Sequence, residues 1–479
     1  MSIIGREKEI QELTELYNSG RAEFIAVYGR RRVGKTFLVN EVYRAKLTFR
    51  HAGLSPIDKK NSSLKAQLEN FYQSLVLHGM KKTHKPTTWL EAFFMLEMYL
   101  QDIDDGSRQI VFLDELPWMD TPRSGFITGL EAFWNGWACS RNNLLLVVAG
   151  SANSWIMDHL INNHGGLYGR VTHVLELAPF TLHECEEFYR DRGIQFSRYD
   201  ITQSYMVLGG IPYYMGYMSK HLSLAQNIDE LFFKKKAKLK DEYDRLFSSV
   251  FQRPEDMKRI VELLCTRHAG FTRKDISEKL HIPTGNGLTK MLGALQASNF
   301  IERYVPFGES KFNEKYKLID PFCRFYQTYV RSHNGKQEDF WTQNIDSQRI
   351  VSWRGIAFEE VCFMHIKQIK HALGISGVNT EQFAWTLRGD DEIEGTQIDM
   401  LIKRRDNVIN MCEMKFYSEE FSIDRTYHMK LVHRRNILEE SIPRKMAIYN
   451  ALITTYGLQH NEYFGDFVSV ITLDDLFNA

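Results

Sequence analysis

The eight residues Gly29-Arg30-Arg31-Arg32-Val33-Gly34-Lys35-Thr36 constrain this chain more than any other feature. They fit G-x-x-x-x-G-K-[ST], a loop that cradles phosphate. The flanks agree. Phe24-Ile25-Ala26-Val27-Tyr28 reads as a short buried strand, and Thr36-Phe37-Leu38-Val39-Asn40-Glu41-Val42-Tyr43 opens an amphipathic helix. The chemistry needs this order. Glycines let backbone N–H groups close around phosphate oxygens, and a helix N-terminus adds the positive end of a dipole. Every residue from Gly29 to Thr36 is therefore a candidate nucleotide contact. Lys35 is expected on the β- and γ-phosphates of ATP, and the Thr36 hydroxyl on Mg²⁺.

A second element strengthens the reading. Ile110-Val111-Phe112-Leu113-Asp114-Glu115 is an apolar run that ends in two carboxylates. Buried parallel strands have this composition, and ligands bind at their C-terminal ends. Asp114 is expected to hold Mg²⁺ through water, and Glu115 to polarise the attacking water. A strand that merely ends in a solvated acidic turn is the weaker alternative about 80 residues after a phosphate loop. A third apolar run, 144–149, leads into Gly150-Ser151-Ala152-Asn153. Ser151 and Asn153 both qualify as a polar group sensing the γ-phosphate, and either equally as the cap of a following helix.

With 479 residues the chain has room for several domains. Its formal net charge is zero, so no global basic field argues for nucleic acid. The first residues, with Arg6, Glu7, Lys8 and Glu9, lack the apolar core of a secretory leader, and no apolar run reaches the length of a membrane span. Six cysteines lie scattered without a C-x-x-C pair, which suggests reduced thiols and a cytoplasmic protein with no membrane partner.

Up to about residue 180, apolar runs alternate with amphipathic helices, the pattern of a parallel α/β sheet. Residues 181–250 turn helical, interrupted by Leu208-Gly209-Gly210-Ile211-Pro212. Residues 255–330 fit a winged helix: three helical segments, then strands near 300–304 and 314–318 around a wing tip at Gly308. The third helix offers few donors for a base edge, namely Asn286, Thr289, Lys290 and Gln296. Eleven Lys/Arg against nine Asp/Glu over 255–320 make a weak footprint, which leaves DNA reader and structural spacer equally open.

Residues 351–479 form a last domain. A helix is expected over 353–371, then a hairpin of 397–403 and 408–416 around Arg404-Arg405-Asp406-Asn407. Glu413 and Lys415 are two apart and share one strand face, Asp399 lies on the neighbouring strand, and Glu359 reaches toward them from the helix. Glu359, Asp399 and Glu413 together can bind Mg²⁺, with Lys415 steadying a water for attack on a phosphodiester. Fourteen Lys/Arg against nineteen Asp/Glu in this domain oppose nucleic-acid binding unless the basic residues cluster.

These motifs resemble the prokaryotic AAA+/STAND-type ATPases known as the archaeal ATPase family. The matching residues are Ile4-Gly5-Arg6-Glu7, the arginine-rich loop, Leu113-Asp114-Glu115-Leu116-Pro117-Trp118, Ala149-Gly150-Ser151, Tyr168-Gly169-Arg170 and Gly209-Gly210-Ile211-Pro212. The C-terminal region is similar to the domain often attached to these ATPases, itself similar to PD-(D/E)xK nucleases, through Gly355, Phe358, Glu359, Asp399, Glu413 and Lys415. The resemblance implies an α/β P-loop NTPase core with a parallel sheet (1–180), a helical lid (181–250), a winged helix (255–330) and a restriction-endonuclease-like α/β domain (351–479). It also implies that Arg170 reaches the γ-phosphate of its own or a neighbouring subunit. Two functions follow. In one, ATP hydrolysis controls a metal-dependent nuclease acting on DNA. In the other, ATP drives a regulatory switch that binds DNA, a protein partner or a second copy of itself, and the last domain docks without catalysis.

Overall fold

A computed structural model describes residues 3–55, 63–162, 165–251, 253–333, 335–387 and 396–479. The chain divides into two compact units. One comprises Met1–Pro179, Glu242–Lys258 and Lys290–Asn299; the other comprises Phe180–Asp241, Arg259–Thr289 and Phe300–Ala479. Among the described residues no helix is long and apolar enough to cross a membrane. All six cysteines are free thiols.

The first unit is built on five strands: β1 (Glu23–Tyr28), β2 (Leu47–Ala52), β3 (Gln109–Asp114), β4 (Leu144–Gly150) and β5 (His173–Glu176). All pairings are parallel, in the order β2-β3-β4-β1-β5. β3 and β4 are buried at every position, which accounts for their unbroken apolar runs. The order sets β4 between β1 and β3. The ends of these three strands, which lead into Gly29, Gly150-Ser151 and Asp114-Glu115, therefore meet along one edge of the sheet.

One face of the sheet is covered by helices Leu64–Leu77, Trp89–Asp102 and Phe126–Gly136. Ser63 and Thr88 cap the first two, each accepting from a backbone N–H in the first turn. Phe71, Trp89, Phe93, Phe126 and Phe133 interlock beneath, with edge contacts such as Trp89–Phe126 at 4.9 Å between ring centres. Gly129 permits the approach: a Cβ there would lie 2.9 Å from the Trp89 Cβ.

The second unit holds two sheets. A small antiparallel one joins β6 (Phe271–Thr272), β7 (Ile301–Tyr304) and β8 (Lys315–Leu318) in the order β6-β8-β7. Helix Arg273–Leu280 starts from a capping box between Thr272 and Asp275. Asn286 and Thr289 are exposed, as are Lys290 and Gln296 of the first unit.

The larger sheet comprises β9 (Thr380–Leu387), β10 (Thr396–Arg404), β11 (Val408–Lys415), β12 (Ala447–Thr454) and β13 (Ser469–Ile471), in the order β13-β12-β11-β10-β9. β10 and β11 make the expected antiparallel hairpin, with Met400 opposite Cys412, and Asn407 takes the left-handed turn position at φ 62°. β12 returns parallel to β11 after helix Arg425–Ser441. The single helix expected over 353–371 is two, Gln348–Met364 and Ile366–Ala372. They part at His365, whose imidazole bonds the Val361 carbonyl through Nδ1 and accepts from the Leu182 N–H at Nε2.

Candidate functional site

The phosphate loop leaves β1 at Gly29, where φ is 146° and a Cβ would lie 2.2 Å from the Leu177 carbonyl oxygen. Only glycine fits there. Gly34, at φ 99°, faces open space and leads into helix Lys35–Tyr43. Lys35 is buried, and its Nζ donates to the Gly29 carbonyl (2.8 Å), the Arg30 carbonyl (3.2 Å) and Ser151 Oγ (3.1 Å). Burial lowers its pKa to about 8. Glu115 and Asp114 oppose that shift, while Arg31 and Arg30 add to it. An ammonium so placed gains from a polyanion that stabilises its charge.

The expected carboxylates lie beside it. Thr36 Oγ1 donates to Asp114 Oδ2 at 2.7 Å, which sets a hydroxyl and a carboxylate oxygen where a hard divalent cation takes its ligands. Glu115 leaves β3 in the left-handed region at φ 48°, and its carboxylate accepts from the Ser151 hydroxyl (2.9 Å) and N–H (3.2 Å). Lys35, Ser151 and Glu115 thus form one hydrogen-bonded chain across the ends of β1, β4 and β3. Asn153 is also at the loop: its Oδ1 accepts from the Gly29 N–H (3.1 Å), and its amide donates to the Ala297 carbonyl (2.9 Å). Neither Ser151 nor Asn153 caps helix Asn153–Ile156. Ser151 faces the reacting edge, and Asn153 braces the loop. The oxygen donors, the buried ammonium and the glycine backbone all suit Mg²⁺–ATP.

The three loop arginines have different surroundings. Arg30 is buried. Arg31 lies over Trp118, its Cζ 5.5 Å from the ring centre. Arg32 is in the left-handed region at φ 74° and is held by both carboxylate oxygens of Glu242, the first residue of helix Glu242–Val250. Val33 is buried.

Arg170 lies away from the loop, against the expectation that it reaches the γ-phosphate of its own chain. It is exposed, two residues before Thr172, whose N–H donates to the Phe24 carbonyl at the start of β1. The phosphate loop begins after the far end of that strand. Five residues of strand span about 16 Å, beyond an arginine's reach. Arg170 therefore does not serve the phosphates of its own chain in this arrangement, and only the neighbouring-subunit option stays open.

In the second unit Glu359, Asp399, Glu413 and Lys415 do converge. Lys415 Nζ is 3.6 Å from Asp399 Oδ2 and 3.4 Å from Glu413 Oε2, and Asp399 also accepts from the Met414 N–H at 2.9 Å. Burial, then the neighbouring Asp399 charge, raises the Glu359 pKa to about 8. Burial and the Glu413 charge raise that of Asp399. Burial works against the charge on Lys415, but Asp399 and Glu413 outweigh it.

The expected three-carboxylate metal set is not formed, however. Glu413 is fully buried, and Arg434 reaches both its oxygens at 2.6 Å while Tyr427 donates to Oε2 at 2.7 Å. Among the described residues no group of three or more His, Cys, Asp or Glu side chains is arranged to hold a metal ion. Two cations already face these three carboxylates, so little negative charge is left to attract a third. His268 adds a further contact, 3.5 Å from Glu359 and 3.2 Å from Glu360, and Arg324 pairs with Glu360 at 2.8 Å.

Glu242, Tyr427, Arg434 and His268 were not among the candidates read from sequence. Glu242 lies 210 residues from its partner, and no local spacing announces it. Tyr427 and Arg434 are seven apart on one helix, hence on one face, which is a signal only once that helix is known to cover β11.

Residues 3–218 match the model of a family described as an ATPase domain predominantly from Archaea. An uncharacterised protein of Methanocaldococcus jannaschii is 26% identical over 331 residues, which is 68% of this chain and 68% of that protein. Among solved structures, the Walker-type ATPase of Pyrococcus abyssi aligns at 17% identity and a TM-score of 0.48, over 68% of this chain and 96% of that one. The ORC2 protein of Aeropyrum pernix, in ADPNP–ADP complexes, aligns at 14% identity and a TM-score of 0.42, over 72% and 94%.

Proposed function

We propose that this chain hydrolyses Mg²⁺–ATP at the edge formed by β1, β3 and β4, and uses the turnover to switch the activity of its C-terminal half. The observation that carries the reading is the Lys35–Ser151–Glu115 chain beside the Thr36–Asp114 pair. Lys35 exchanges its loop carbonyls for phosphate oxygens. Thr36, and Asp114 through water, would hold Mg²⁺, which would neutralise charge on the phosphates. Glu115 orients the attacking water, and Ser151 keeps that carboxylate aimed and reports on the terminal phosphate. Glu115→Gln tests the assignment: binding of a non-hydrolysable triphosphate should persist while turnover falls. Equal ATPase rates for variant and parent would remove Glu115 from the reaction.

For the C-terminal half, the charge balance around Glu413 favours a docking module over a nuclease. The segment 255–330, as a winged helix, supplies a second surface for DNA, a protein partner or another copy. The nuclease reading retains one observation, the convergence of Glu359, Asp399 and Lys415. It requires Mg²⁺ to displace Arg434 and Tyr427 from Glu413. Incubation with supercoiled DNA, linear DNA and RNA, in Mg²⁺ or Mn²⁺ and with or without ATP, separates the two. Cleavage that Asp399→Ala abolishes overturns the docking reading.

A further inference from the structure

Among the loop arginines, Arg31 combines a place over an indole ring with a buried guanidinium nitrogen. One terminal nitrogen, Nη1, is buried and meets no hydrogen-bond acceptor among the described residues. Buried guanidinium nitrogens are ordinarily paired, and an orphaned one marks a place where an anion is missing. The guanidinium lies over the indole of Trp118 instead, 5.5 Å from the ring centre, a contact that holds a cation without neutralising it. Trp118 is well fixed. It sits in the short helix Leu116–Met119 directly after Asp114 and Glu115, with Pro117 in its first turn. Gly53 packs behind it so closely that a Cβ there would lie 3.1 Å from the Trp118 Cβ. Arg31 is near enough to Lys35 to disfavour the lysine's charge. The cation is therefore parked beside the phosphate-binding ammonium, on the side of the residues expected to orient water. Arg170, at the opposite edge of the sheet, cannot supply that charge from within the same chain.

We propose that Arg31 is a ligand of the γ-phosphate supplied by the chain's own loop, and that Trp118 is the perch it leaves when a triphosphate binds. This rests on the P-loop ATPase reading and adds the residue that tells ATP from ADP. An arginine fork suits a terminal phosphate, whose oxygens accept two parallel N–H bonds, and charge on that group grows in the transition state. A diphosphate presents nothing at that place, so Arg31 stays on the indole.

The test uses the full chain with ADP and a non-hydrolysable ATP analogue, titrated by calorimetry and by tryptophan emission. The parent should bind the analogue more tightly than ADP. Arg31→Ala should cut that preference about tenfold or more, the scale of one charge-assisted contact, with ADP affinity held within about threefold. Retained ADP binding also shows that the variant folds. Arg31→Lys keeps the charge and loses the fork, so it should fall between. In the parent the analogue, but not ADP, should change tryptophan emission, and both Trp118→Phe and Arg31→Ala should remove that change. A parent that binds neither nucleotide overturns the ATPase reading and this inference with it. A parent that binds both, with the same triphosphate preference in Arg31→Ala, overturns this inference alone.

Discussion

Arg32 tests how the phosphate loop keeps its shape. It holds a left-handed backbone at φ 74°, a conformation that costs a residue with a Cβ about 1–2 kcal/mol. The compensation is the two-pronged pair with Glu242, whose side chain is 4% exposed. Removing one partner of a fully buried pair costs about 3–5 kcal/mol. Arg32 is 18% exposed, so water recovers part of the loss and the lower end, about 3 kcal/mol, applies. Glu242→Gln, which keeps the shape and removes the charge, should raise the local opening equilibrium about 100-fold. Amide hydrogen exchange over residues 29–36 and helix Glu242–Val250 reads this directly. Arg32→Ala and Arg32→Gly both lose the pair, and their difference isolates the backbone. Glycine recovers the left-handed cost but gives back about 0.5–1 kcal/mol of chain entropy, so it should be the more protected by about 0.5–1 kcal/mol. Exchange in Glu242→Gln within threefold of the parent would show that the pair does not brace the loop, and Arg32→Gly less protected than Arg32→Ala would show that the left-handed backbone carries no cost.

Three further outcomes are expected. Lys35 has a folded pKa depressed to about 8, and bound phosphates raise it again, so triphosphate affinity should be flat below pH 8 and fall as pH rises above it, with proton uptake seen by calorimetry in buffers of different ionisation enthalpy. Arg170→Ala mixed with Lys35→Ala should recover turnover that neither shows alone if Arg170 acts on a neighbouring copy; no recovery at any mixing ratio leaves it structural. Arg434→Ala removes the arginine from both oxygens of Glu413, leaves Tyr427 and Lys415 on Oε2 alone, and should create or strengthen Mn²⁺ binding in the second unit, measured by titration, whereas unchanged binding would show that the arginine does not hold the metal out.

What was legible in the sequence was whatever local pattern dictates. The phosphate loop, the apolar strands ending at Asp114 and Gly150, and the hairpin turn at Asn407 each depend on residues within a few positions of one another. The Lys35–Ser151–Glu115 chain was legible as candidates, because parallel strands carry their functional groups at one end. Strand order was not. Without the β1–β5 register nothing in Tyr168-Gly169-Arg170 says which end of the sheet it occupies, and the register alone takes the arginine away from its own loop. The partner of Glu413 in the C-terminal site was illegible for a related reason. Spacing brought Glu359, Asp399, Glu413 and Lys415 together, but the partner that neutralises Glu413 comes from helix Arg425–Ser441, whose packing on β11 no periodicity reveals.

In the function proposed for this chain, residues 29–36 with Asp114, Glu115 and Ser151 form a working ATPase site. Steady-state ATP hydrolysis by the purified full chain in Mg²⁺, side by side with Lys35→Ala and Glu115→Gln, tests it most directly. Phosphate release is expected from the parent, loss of both release and analogue binding in Lys35→Ala, and loss of release with retained binding in Glu115→Gln. Turnover in Lys35→Ala equal to that of the parent, or no nucleotide binding by the parent itself, would contradict it.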